Sequence, residues 1–156
     1  MKGDSKVIDI LNSLLTNELS AADQYFVHSR MYQDWGLNKL YERIAHETQE
    51  ELEHATRLVE RILFLEGTPD VASREKLNVG SDVPSMLKND LAVEYDVANR
   101  LKDAIAYCEQ VKDYQTREIL EILLKDTEED HAYWLEQQLG LIDKVGLQNY
   151  LQSQMS

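Results

Sequence analysis

At 156 residues the chain is long enough to bury a real core as one domain. A net charge of −13 argues against nucleic acid or an anionic membrane as a partner. No apolar run approaches membrane-spanning length, and Met1-Lys2-Gly3-Asp4-Ser5 has no apolar stretch behind it, so a cytoplasmic protein is expected. One cysteine, Cys108, excludes a disulfide framework and any thiolate-rich zinc site. On its apolar stripe it reads as a buried, inert thiol.

With six Gly and two Pro, helix is favoured throughout. The first predicted helix runs over about 5–34, with Val7/Ile8, Leu11, Leu14/Leu15, Ala22 and Tyr25/Phe26 at the 3–4 spacing of an amphipathic helix. Gly36 suits a left-handed stop, and Asn38 a new N-cap. A second helix over about 39–66 carries Leu40, Ile44, Ala55, Leu58, Ile62 and Leu65 on one face, and so short a link makes the two antiparallel neighbours. Residues 67–81 lack a helical period. A helix of about 27 residues is roughly 40 Å long, and fifteen extended residues reach about 50 Å, so this loop can cross the full length of a bundle. Helix three is predicted over about 82–112, with Pro84 in its first turn, and helix four over about 116–139, stopping near Gly140. A short fifth helix covers about 145–154. The fold class is therefore all-α, a single domain over 1–156 built as two helical hairpins joined by a long crossover.

The chemistry lies in a repeat. Glu51-Leu52-Glu53-His54 and Glu128-Glu129-Asp130-His131 are two copies of Glu-x-x-His, and Glu18 and Glu94 precede them by 33 and 34 residues. Each of the six occupies a place on an apolar stripe, as in Leu11, Leu14, Glu18, Ala22, Tyr25. An i, i+3 pair stacks Glu and His on one helix face. Glu18 and His54 each lie 18 residues from Gly36, and His131 lies 18 from Asp113, so both hairpins put their donors at one height. Four carboxylates and at most two imidazolium ions would leave a net negative charge in the core, and an unpaired buried ion costs several kcal/mol. Two divalent cations cancel it while the imidazoles stay neutral, as ligation requires. Oxygen and nitrogen donors without thiolate suit iron or manganese better than structural zinc.

From end to end the chain resembles the bacterioferritin family. The resemblance rests on Asn17-Glu18-Leu19, Gln24-Tyr25-Phe26, Asp34-Trp35-Gly36-Leu37, the run Glu60 to Gly67, and the tail Gly146 to Gln152. It implies a ferritin-like four-helix bundle with a long crossover and a short C-terminal fifth helix. Its subunits form a 24-subunit homo-oligomeric cage that oxidises Fe(II) with O₂ or H₂O₂ at a di-iron ferroxidase centre and stores Fe(III) mineral. On this reading Glu18, Glu51 and His54 hold one iron, Glu94, Glu128 and His131 the other, and Glu51 and Glu128 bridge. Tyr25 is either an electron donor in O₂ reduction or simple core packing. His46 and Glu50 occupy the positions of an inner-surface iron site, and a solvated charged face is the alternative. Asn149 and Gln152 match helix-five positions that line four-fold pores in the family, and an ordinary polar helix surface is the alternative.

One departure stands out. The family binds haem b through a methionine at the position where this chain has Leu52, and leucine has no donor atom. Met31 and Met86 do not stand there. The expectation is no haem in a homo-oligomer, and haem only in a cage mixed with a methionine-bearing relative. The small ferredoxin that reduces the stored iron docks near the haem, so that partnership depends on it. The alternative function is a non-cage di-iron oxygenase or peroxidase. A rubrerythrin would need further cysteine pairs, and a non-catalytic helical scaffold gives the six core donors no purpose.

Overall fold

Asp4 starts the first helix by accepting hydrogen bonds from the backbone N–H groups of Lys6 (2.8 Å) and Val7 (3.0 Å). The computed structural model describes all 156 residues and carries this helix, α1, over Ser5–Asp34. Gly36 sits at φ +76°, a conformation open to glycine at little cost, and turns the chain back into α2 (Asn38–Phe64), which packs along α1. Helix α3 (Val83–Gln110) begins under a capping box in which Asp82 and Ser85 satisfy each other's backbone N–H groups. Every regular element is helical, and no helix is long and apolar enough to cross a membrane.

The crossover between α2 and α3 is tied along α1. Asn12 accepts from the N–H of Asp70 (2.8 Å) and Ser20 from that of Glu75 (2.9 Å). Further on, Gln24 accepts from Asn78 N–H (3.1 Å) and His28 Nε2 from Gly80 N–H (3.1 Å). From Asn12 to His28 the segment follows about 24 Å of helix. An otherwise irregular chain thus has its backbone donors satisfied by one polar stripe.

The fourth helical stretch differs from expectation at both its middle and its end. Asp113 caps α4 (Tyr114–Lys125), which passes into a π-helical turn, Asp126–Ala132, before resuming as α5 (Tyr133–Val145). The helix does not stop at Gly140. Leu139 and Ile142 pack on the core at that end, so burial holds the helix through the glycine, and the break falls at Gly146, φ +84°. Helix α6 (Leu147–Ser153) then docks through buried Tyr150, whose hydroxyl donates to Gln138 Oε1 (2.8 Å).

The apolar interior is in two parts. One includes Leu11, Leu15, Leu58, Ile62, Leu101 and Leu120; the other includes Tyr25, Tyr32, Leu40, Ile44, Met86 and Leu87. Between them in sequence on α1, α2 and α3 lie buried Glu18, Glu51, His54 and Glu94. This layer of acids and imidazoles divides the core.

Candidate metal centre

Each helix brings its donors to that layer by its own periodicity. Glu18 on α1, Glu51 and His54 one turn apart on α2, and Glu94 on α3 continue stripes that are aliphatic above and below, and His131 enters from the π turn. His54 Nδ1 lies 3.0 Å from Glu18 Oε2 and 3.5 Å from Glu51 Oε2. His131 Nδ1 lies 3.0 Å from Glu51 Oε1 and 3.5 Å from Glu94 Oε1. Glu51 therefore stands between the two imidazoles, one oxygen toward each, and the rings stack with centroids 5.7 Å apart. The result is two buried donor sets sharing one carboxylate: Glu18, Glu51, His54 and Glu51, Glu94, His131. Glu18 Oε1 and His131 Nδ1 are buried without a well-aligned hydrogen bond. Orphaned buried groups of this kind are costly unless a further partner serves them, and a cation between the donors would.

A ferritin-like domain model matches residues 8–145. Over its full length the chain is 63% identical to a bacterial ferritin of Synechocystis sp., itself covered completely. A bacterial ferritin of Pseudomonas aeruginosa is 59% identical over 99% of the chain and 100% of its own length. A bacterioferritin of Rhodobacter capsulatus is 42% identical over 96% of the chain and 92% of its own length. The chain belongs to the ferritin family.

Within this ferritin fold Glu128 is not where an unbroken α-helix would put it. Its side chain is 44% exposed and pairs with Lys102 Nζ (3.0 Å), away from the buried donors. The cause is the π turn. Its i→i+5 bonding takes an extra residue per turn, so residues three apart no longer share a face. Thr127 takes the inward position and donates its hydroxyl to Leu123 O (2.8 Å). The Glu-x-x-His spacing thus gathers Glu51 with His54 on α2 but does not gather Glu128 with His131.

Tyr25 is buried and donates its hydroxyl to Glu94. Burial foremost, then the charge of Glu94, pushes that phenol well above its ordinary range. His46 and Glu50 do meet, at 2.5 Å on an exposed face, but the other Glu50 oxygen reaches His131 Nε2 at 2.6 Å. Leu52 is 42% exposed on α2, and Met86 is buried in the core.

Three further acids lie around the two histidines. Glu47 is buried with its carboxylate 2.6 Å from Arg43 Nε and 2.6 Å from His131 Nε2. Asp130 pairs with Arg43 at 2.9 Å, and Asp126 reaches His54 Nε2 at 3.1 Å. Asp126 and Asp130 lie on the π turn. Glu47 carried a signal in the sequence: it sits four residues before Glu51, on the same face.

Proposed function

We propose that this ferritin stores and detoxifies iron. Fe(II) is bound and oxidised among Glu18, Glu51, His54, Glu94 and His131, and Fe(III) is deposited as mineral inside a 24-subunit cage in the cytoplasm. The observation that carries this is the pair of buried donor sets sharing Glu51. Glu18, Glu51 and Glu94 leave buried negative charge facing two imidazoles, which divalent cations offset while both rings stay neutral. Hard oxygen donors with imidazole and no thiolate match iron. Membership of the ferritin family, and relatives named bacterial ferritin, support storage as the purpose.

In the reaction each Fe(II) gives up one electron. Two of them reduce O₂ with two protons to H₂O₂, or reduce H₂O₂ with two protons to two waters. The chain's part is to hold both ions close in a dry layer and to keep Tyr25 against Glu94, where the phenol is either an electron donor or packing. Glu128 stays outside the donor set while it pairs with Lys102, and it completes the second position only if the π turn rewinds. Leu52 offers no donor atom to haem b, so a homo-oligomer binds none, and a ferredoxin reductant acts only on a mixed cage.

Aerobic addition of Fe(II) to metal-free protein, followed by absorbance, tests the assignment. Glu18→Ala and His131→Ala should each slow oxidation of the first two irons per chain at least tenfold. Native rates in both variants would remove the site from these residues.

A further inference from the structure

Both histidines of the centre are held from outside it. His54 turns Nδ1 toward Glu18 and Glu51, and its Nε2 lies 3.1 Å from Asp126 Oδ2. His131 repeats the arrangement, with Nδ1 toward Glu51 and Glu94 and Nε2 2.6 Å from Glu50 Oε2. A neutral imidazole carries its proton on either nitrogen, and the partner of one nitrogen decides which atom is free to bind metal.

The π turn explains how Asp126 reaches that place. Asp126 is the first residue of that turn, one i→i+5 step before His131. The turn that sends Glu128 out to Lys102 is the turn that brings Asp126 in to His54. Asp126 is half-exposed and makes no other ion pair.

We propose that Asp126 is the positioning residue of His54: it accepts the Nε2–H, fixes that tautomer, and leaves Nδ1 as the donor facing Glu18 and Glu51. Glu50 serves His131 in the same way. The proposal rests on the metal-binding reading above and adds to it a residue that touches no metal. It also gives the π turn a purpose that a plain α-helix would not serve.

The test uses the assembled metal-free protein titrated anaerobically with Co²⁺, a probe that is not consumed, and followed by visible absorption and calorimetry. The native protein should bind two ions per chain, and His54→Ala should lose one. Asp126→Ala should keep both but bind one of them about 10- to 100-fold more weakly, with a changed visible band, as expected when a ligand loses its outer partner. Asp126→Asn, whose carboxamide oxygen still accepts the Nε2–H, should regain most of that affinity. Glu129→Ala, an exposed neighbour on the same turn, should match the native protein. Native affinity and spectrum in Asp126→Ala would overturn the proposal. So would an Asp126→Asn variant no better than alanine, since the effect would then be one of charge and not of hydrogen-bond geometry. If His54→Ala also keeps both ions at native affinity, the metal site itself is misassigned, a failure separate from that of the positioning role.

Discussion

Glu18 and His54 show what the metal-free protein does with charges it cannot export. Burial foremost, with Glu51 beside it, pushes the Glu18 carboxyl up to about 8. Burial alone would pull His54 down, but Glu18 and Glu51 at its Nδ1 outweigh it and push the imidazole up to about 11. His131 moves the same way among Glu47, Glu50, Glu51 and Glu94. Protons therefore stand in for cations, and the sign of their linkage to stability follows. A histidine raised from 6.5 to about 11 contributes stability that is fully present below 6.5 and is lost as pH climbs toward 11. A carboxyl raised from 4.5 to about 8 contributes stability that is present below 4.5 and gone above about 8. Glu50, lowered to about 2 chiefly by its hydrogen bond with His131, acts in the opposite sense but only at acid pH. The metal-free protein should accordingly have a lower urea midpoint at about pH 8.5 than at about pH 6.5, with the denaturant slope unchanged. Glu18→Gln should flatten the part of the curve below about pH 8. Loading with a divalent cation should release protons and remove the slope, because metal then occupies the protons' place. A midpoint that rises between those pH values would contradict this account of the buried layer.

At the scale of elements, the π turn separates what could be read in the sequence from what could not. Helices α1, α2 and α3 keep a clean α period, so their stripes place Glu18, Glu51, His54 and Glu94 directly. In the fourth stretch an unbroken α period would bury Leu120, Leu124, Glu128, His131 and Leu135, whereas the buried residues include Leu120, Leu123, Thr127, His131 and Leu135. A signal was present. Leu123, Thr127, His131 and Leu135 are three successive steps of four, longer than the 3.6 of an α-helix, and such a run marks an added residue. Two alternative stripes of similar hydrophobicity hid it. The crossover's route along the bundle followed from its length, but its tethers did not, because Asn12, Ser20, Gln24 and His28 look like ordinary surface polar residues until a loop needs their hydrogen bonds. Deleting Thr127 tests the role of the added residue. Leu120 before the turn and Leu135 after it both face the core, so an α-helix one residue shorter should stay in phase at both ends. The variant should remain folded, at a cost of about 1–3 kcal/mol for the lost buried threonine and rearranged turn. Its crystal structure should show an α-helical segment with Glu128 turned onto the face of His131 and the Lys102 pair broken. A π turn that persists or migrates would mean that the local sequence, and not residue count, imposes it.

The isolated subunit leaves large apolar side chains in water: Phe26 57%, Trp35 43%, Leu52 42%, Phe64 50% and Tyr133 52% exposed. Scattered single residues of this kind are ordinary, but so many on one small bundle are what assembly would cover. Leu52 matters most on the proposed reading, which assigns its position to the family's haem ligand, so a single substitution tests two properties of the whole particle. Purified alone, the protein should sediment at about 430 kDa, as 24 chains of 18.1 kDa, and show no Soret band at stoichiometric level. A species of one or two chains would instead favour the non-cage oxygenase or peroxidase reading. Leu52→Met should leave sedimentation unchanged, since leucine and methionine are close in volume and such swaps usually cost less than about 1.5 kcal/mol. The methionine adds a thioether, a soft donor for haem iron, so haem supplied to this variant should give a Soret band absent from the parent. Equal haem in parent and variant would place the ligand elsewhere and detach Leu52 from haem binding. A variant that assembles but still refuses haem would show that this surface lacks more than the sulfur atom.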